Sequence, residues 1–201
     1  IFGKRITFEL RDGNKSDLYR FLNNFQLESS TDINSPPYGW QGMKQILFCG
    51  FGDSFGYFFP NIDCDENDNP WLVYAERYYL SDKGIMCKKW ENNNWGCSTV
   101  VSPVDEIWEC RVWTEVINSR NIWVVWSAHF PDNRIKIFYS HYNGRNWSPP
   151  AQISNDTFYR HVEFMPEIAY GGGRLWAVWI SGDFDSTNYD IYASYWDGER
   201  W

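Results

Sequence analysis

The chain has 201 residues, 13 of them Trp, 13 Tyr and 14 Phe, and a net charge of −8. Its 26 acidic against 18 basic side chains exclude a broad duplex nucleic-acid surface, which needs an excess of Lys and Arg. No apolar run is long enough to span a membrane as a helix, and 15 Gly and 9 Pro at regular places argue against disorder. The chain opens on Ile1 without a basic-then-apolar leader, which fits a removed signal peptide or a piece of a longer polypeptide. Its first elements are two short strands, Arg5 to Leu10 and Ser16 to Phe21, with Phe25 closing the unit. A long link over 28–58 follows and holds Pro36-Pro37 and Trp40.

From residue 59 the sequence repeats. The first unit runs Phe59-Pro60-Asn61-Ile62, Trp71-Leu72-Val73-Tyr74, then Ile85 to Trp90, and closes at Trp95. The second runs Arg111-Val112-Trp113, Trp123-Val124-Val125-Trp126, then Ile137 to Tyr142, and closes at Trp147. The third runs Met165-Pro166-Glu167-Ile168, Trp176-Ala177-Val178-Trp179, then Ile191 to Trp196, and closes at Trp201. The anchors Trp71, Trp123 and Trp176 therefore recur at 52 and 53 residues, and the closing tryptophans at 52 and 54. Each unit reads as four short strands. The second is apolar enough to be buried on both faces. The third alternates and is half exposed, ending in an Asn-Gly or Asp-Gly hairpin turn. Four-stranded antiparallel units at this period predict an all-β propeller, residues 1–201 as one domain, with repeats at 1–34 (partial), 59–105, 106–156 and 164–201. About four blade-equivalents form either a closed four-bladed ring or a fragment of a larger one. Most aromatics are then packing between blades.

Ser140-His141-Tyr142-Asn143-Gly144-Arg145-Asn146-Trp147 and Ser194-Tyr195-Trp196-Asp197-Gly198-Glu199-Arg200-Trp201 resemble the Asp box of sialidase-like propeller repeats, Ser-x-Asp-x-Gly-x-x-Trp. Here the Asn or Asp stands immediately before the Gly, one place late. The resemblance covers roughly residues 59–201. It implies a propeller, carried by sialidases, other glycosidases, lectins and non-catalytic secreted proteins alike. The blade closures also look like those of fucose-binding propeller lectins.

In such a fold the loops between second and third strands share one face with the blade-to-blade links. That face would gather Glu76, Arg77, His129, Arg134 and Asp183 from loops, and Trp40, Tyr159, Arg160, His161 and Glu163 from links. Aromatics, carboxylates and Arg at one mouth suit a sugar, whose hydroxyls take polar partners while its apolar face lies on a ring. As a glycosidase the protein would need an acid, for which Asp183 and Asp185 are the candidates. No catalytic set maps onto a family motif, so the reading leans toward an exported, non-catalytic propeller binding carbohydrate or another extracellular ligand, located in the periplasm, at the cell surface or in the medium. Its partners would be a glycan or an extracellular protein, without nucleic acid or a membrane span. The alternatives are a sialidase-like or other glycosidase fragment, and a scaffold that self-associates through an open blade edge.

No metal or other cofactor is expected. Calcium is the one ion considered: Asp63-Cys64-Asp65-Glu66-Asn67-Asp68 is oxygen-rich but lacks the Gly and distal Glu of an EF-hand, and Asp183-Phe184-Asp185 is a second run of the kind. Among five cysteines without a CxxC pair, Cys87 and Cys97 flank one hairpin and could bond across it.

Overall fold

Every element resolved in the computed structural model is a strand, and the described residues are 55–78, 84–102, 111–130, 134–154, 161–183 and 188–201. The N-terminal partial repeat, Trp40, Tyr159, Arg160 and Asp185 lie outside them, as do Cys49 and Cys110. The first blade is β1 (Phe55–Cys64), β2 (Pro70–Tyr78), β3 (Gly84–Glu91), the two-residue β4 (Asn94–Trp95) and β5 (Thr99–Ser102). The second is β6 (Val112–Asn118), β7 (Asn121–His129), β8 (Ile135–Tyr142) and β9 (Ala151–Gln152). The third holds β10 (His161–Gly171), β11 (Arg174–Asp183) and β12 (Tyr189–Trp196). Neighbouring strands within each blade are antiparallel, and β10 meets β8 of the preceding blade through one parallel pair, Val162 with Ile135.

The second strands are rich in β-branched and aromatic residues, which suit a pleated surface, and their apolar density on both faces matches their position between neighbours. Every residue of β7 from Ile122 to Ala128 is buried. One core lies between the first two blades, where Trp71, Val73 and Ile85 meet Val112, Val124 and Trp126. The next lies between the second and third, where Trp123, Val125 and Ile137 meet Leu175, Ala177 and Trp179. In β11 burial alternates, because only one face has a blade against it: Leu175, Ala177 and Trp179 are buried, while Trp176 and Val178 are exposed.

Two features repeat from seam to seam. The closing aromatics of each blade lie on the anchor tryptophan of the blade before: Tyr142 stands 5.8 Å from Trp71, and Trp196 and Trp201 stand 5.2 Å and 6.0 Å from Trp123. The innermost strands are also tied by side chains. Asn61 and Asp63 of β1 accept from the Thr114 and Val116 N–H groups of β6, at 2.9 Å and 2.7 Å. One blade on, Glu115 of β6 accepts from the Tyr170 N–H of β10 at 2.9 Å. Asp63 pairs with Trp71, and Glu115 with Trp123, so the two carboxylates hold the same position. Such bonds satisfy N–H groups that an inward-facing edge would otherwise leave open.

The closing hairpins are chemically equivalent. Asn143 Oδ1 accepts from the N–H groups of Arg145 and Asn146, each at 3.0 Å, and Asp197 Oδ1 from those of Glu199 and Arg200, each at 2.9 Å. The Asx residue one place late is therefore the residue that caps the turn.

Three sequence expectations are corrected. The third strand is not half exposed in the middle blade: Lys136 and Ser140 are buried along with Ile137, because blades cover both of its faces. Cys87 and Cys97 are separate free thiols. Thr99, not Cys97, stands opposite Cys87 in the β3–β5 register. Finally, Glu76, Arg77, His129, Asp183, His161 and Glu163 belong to strands rather than to loops or links, since β2 runs on to Tyr78, β7 to His129 and β11 to Asp183, and β10 begins at His161.

Candidate functional site at the propeller mouth

Strand direction divides each blade into two ends. The tight hairpins (Asp65 to Asn69, Asn118 to Asn121, Gly171 to Arg174) and the closing turns share one end. The other end, the mouth, collects Glu76 near the end of β2, His129 as the last residue of β7, Arg134 just before β8 and Asp183 as the last residue of β11. Arg77 follows Glu76 in β2, and His161 pairs with Asp183. Five predicted site residues, Glu76, Arg77, His129, Arg134 and Asp183, thus share an end of the molecule. Their settings differ. Glu76 is buried, Asp183 is exposed, and Arg134 lies 5.6 Å from the Phe130 ring in a cation–π contact. The Nε2 of His129 is buried with no hydrogen-bond partner among the described residues.

The recess at this end has a volume of about 430 Å³ and is lined by residues that sequence reasoning passed over. Phe59, Arg111, Ser127, Phe164, Met165 and Tyr189 are among them. Arg111 is anchored by its backbone: its N–H donates to Ser127 Oγ at 3.3 Å, and its carbonyl accepts from the Ser127 N–H at 3.3 Å. Its side chain is exposed. Tyr189 stands edge-on to Phe164, ring centroids 5.4 Å apart. It also lies against Gly182, where an added Cβ would come within 2.5 Å of its ring, so that glycine makes room for the ring.

Phe59 and Met165 reach the recess through matching irregularities. The β1–β2 register shifts between Phe58 and Asn61, and the β10–β11 register between Phe164 and Glu167. At each bulge a non-glycine residue takes positive φ, 52° at Phe59 and 54° at Met165, and a proline follows. Left-handed backbone costs an L-residue of this size about 1–2 kcal/mol, and bulges re-aim side chains. The same strained residue in two blades, on the wall of the same recess, is the strongest local mark of a site here. The signal was present in Phe-x-Pro at residues 58–60 and 164–166, because proline inside a strand marks a bulge.

Behind the recess, Lys136 Nζ and Glu163 Oε2 lie 3.8 Å apart with side chains 3% and 4% exposed. They join β8 to β10 beside the parallel pair Ile135 and Val162. A buried ion pair is poor evidence of net stabilisation; this one links two blades where they meet at the mouth.

The acidic loop does different work. Asp65 Oδ1 accepts from the N–H groups of Asn67 and Asn69, and its Oδ2 from the Trp71 indole at 3.2 Å. Glu66 accepts from the Ser119 N–H and hydroxyl. Asp63, Asp65 and Glu66 thus all hold turns and seams, and the described residues contain no group of three His, Cys, Asp or Glu placed to hold a metal ion. Burial pushes the Asp65 carboxyl up, but the hydrogen bonds from Asn69, Trp71 and Asn67 outweigh it and leave the group below the usual carboxylate range. At Glu115 burial dominates and, with the charge of Asp63, raises the carboxyl against the pull of the Tyr170 N–H.

The recess combines an apolar wall with the Arg111 guanidinium and the Tyr189 phenol. Among the described residues no helix is long and apolar enough to cross a membrane. No protein-family model and no curated protein matches the chain. Solved structures do resemble it. An ulvan lyase from a new polysaccharide lyase family aligns at TM-score 0.54 and 10% identity over 72% of this chain and 42% of the lyase. An exo-1,5-α-L-arabinanase from a bovine ruminal metagenomic library aligns at 0.54 and 10%, over 86% of this chain and 65% of its own. The Cellvibrio cellulosa α-L-arabinanase complexed with arabinohexaose aligns at 0.52 and 13%, over 84% and 63%. The chain spans less than two thirds of each of these proteins. At such identities the likeness speaks to fold alone, and the fold is an all-β propeller of antiparallel blades.

Proposed function

We propose that this propeller binds carbohydrate at its mouth, without catalysis, as an exported protein that works in the periplasm, at the cell surface or in the medium, where polysaccharide is met. The observation that carries the reading is the pair of strained bulges that sets Phe59 and Met165 on the wall of a recess rimmed by Arg111 and Tyr189. A sugar ring offers an apolar face to such a wall, and vicinal hydroxyls to a planar guanidinium. Support also comes from the neighbours in fold, which include polysaccharide-degrading enzymes and an arabinohexaose complex. A glycan array, followed by titration of any hit against the wild type and Arg111→Ala, tests it. Binding weakened at least tenfold by the substitution is expected, and an array without a hit would remove the sugar. Release of reducing ends from a bound oligosaccharide, lost in Asp183→Asn, would instead favour a glycoside hydrolase.

A second reading, a scaffold that pairs with a second copy of itself, is favoured by a separate observation. Trp176 holds the anchor position that is covered in both preceding blades, yet it is exposed together with Val178, Tyr195 and Ile191, the last 82% accessible. The pairings Trp176–Tyr195, Val178–Ala193 and Ile180–Ile191 put these residues on one face. That face continues the chemistry of the seams, which are built from anchor tryptophans and closing aromatics. Sedimentation should show a concentration-dependent dimer that Ile191→Lys abolishes; a monomer at high concentration would end this reading.

A further inference from the structure

The blade-to-blade seams are not identical at the hairpin end, and the difference opens a groove. In the second blade, the turn residue Arg120 lies across the closing turn: a Cβ added to Gly144 would come within 2.8 Å of Arg120 Cβ. In the third blade the corresponding turn is Gly172-Gly173, both at positive φ, and a Cβ added to Gly198 would meet nothing within 4 Å. Removing the arginine leaves a groove of about 550 Å³ between the second and third blades.

Its lining is polar and aromatic. Asn121 Oδ1 accepts from the Trp123 indole N–H at 2.8 Å and stands 2.9 Å from His141 Nε2. Because that oxygen is an acceptor, Nε2 carries the proton, and burial holds the imidazole neutral, below the usual histidine range. Nδ1 is then a lone-pair acceptor, and the Asn121 amide nitrogen keeps its donors. The His141 ring is held in place by stacking on Trp123, centroids 4.2 Å apart. Arg174 lies 4.7 Å from the Tyr195 ring, on the open face of the third blade. Tyr170 is 48% exposed, and its backbone N–H is already bonded to Glu115, so its ring and hydroxyl face the groove on a fixed backbone. Asp197 is held by its own turn, capping the Glu199 and Arg200 N–H groups and pairing with the Arg200 guanidinium at 3.6 Å.

The geometry points to a second saccharide site in this groove, separate from the mouth, that takes one neutral sugar unit. The Tyr170 ring supplies the apolar platform. His141 Nδ1 and Asn121 supply an acceptor and donors for adjacent hydroxyls. With Asp197 engaged by Arg200, the groups offered to the ligand by Tyr170, His141 and Asn121 are uncharged, which favours a neutral sugar over an acidic one. This deepens the carbohydrate reading and rests on it.

The test is titration of the whole chain with methyl glycosides of neutral pentoses and hexoses, with a methyl glucuronide as the charged comparator, followed by amide NMR. Shifts at Gly171 to Arg174 and at Asp197 and Gly198 are expected. Tyr170→Ala, at an exposed position, should weaken binding at least tenfold, with Arg111→Ala leaving these shifts in place. Unchanged affinity in Tyr170→Ala, with all binding lost in Arg111→Ala, would overturn the groove and leave the mouth standing. Tighter binding of the glucuronide would overturn the neutral class. A wild type that shifts with no sugar would overturn both this site and the carbohydrate reading.

Discussion

Asp63 accepts a 2.7 Å hydrogen bond from the backbone N–H of Val116, in the next blade's innermost strand and 53 residues further along the chain. Glu115 repeats the bond one blade later, to Tyr170. At the third occurrence of the position, opposite Trp176, stands Ala169, which offers no such acceptor. Replacing Asp63 by Leu should cost about 1–3 kcal/mol, the penalty for leaving a partly buried N–H without its partner. Asp63→Asn, which keeps an acceptor oxygen, should cost less. Urea unfolding of the two variants measures the difference, and equal losses would mean that the charge rather than the hydrogen bond matters.

Asp65 and Glu115 respond to pH with opposite signs. The folded-state pKa of Asp65 is depressed, so its contribution is present above the unfolded pKa and is lost as pH falls through the folded one. That of Glu115 is raised, so its charged form is disfavoured by folding and stability recovers as pH falls through the folded pKa. Thermal unfolding across the acid range should therefore show Glu115→Gln removing the stabilising limb and Asp65→Asn removing the destabilising one. Asp65→Ala should cost about 1–3 kcal/mol at neutral pH, because it leaves the buried Trp71 indole N–H without its acceptor.

Lys136→Met alone should destabilise the protein, since it breaks a buried ion pair that joins β8 to β10. The double variant Lys136→Met with Glu163→Leu should recover most of the loss. Additive losses in a double-mutant cycle would show that the two charges are not coupled.

At Met165 stability and binding should part company. Met165→Gly relieves left-handed strain, about 1–2 kcal/mol, and removes an exposed side chain, so unfolding should move to equal or higher denaturant. The same change strips the wall of the recess and should weaken sugar binding. Parallel losses of stability and affinity would argue against a strained, functional bulge.

Thiol labelling should divide the cysteines by burial. Cys87, whose thiol is pushed up to about 12 by desolvation, should resist alkylation in the native protein. The exposed Cys64 and Cys97 should be modified before it in peptide mapping, and a Cys87–Cys97 disulfide peptide would contradict the register seen here.

The repeat made the fold legible. Trp71, Trp123 and Trp176 mark equivalent positions in β2, β7 and β11, and the Asn143 and Asp197 turns close equivalent hairpins. The end of the molecule that gathers Glu76, His129, Arg134 and Asp183 was also legible, because strand alternation decides which loops share a side. What escaped were features set by neighbours. Lys136 reads as a solvent-facing residue on an alternating strand until a blade lies on each side of it. Arg111 reads as the lead-in to a strand until its backbone closes on Ser127. The groove at Tyr170 depends on an arginine that one turn has and the next lacks, a comparison between repeats rather than a motif within one.

The central claim is that the mouth binds sugar. The most direct test is backbone amide NMR of the wild-type chain titrated with the best glycan-array ligand. The account predicts saturable shifts at Phe59, Arg111, Phe164, Met165 and Tyr189, the residues that line the recess. Shifts confined to the exposed face around Trp176 and Ile191, or no saturable shift at all, would contradict it.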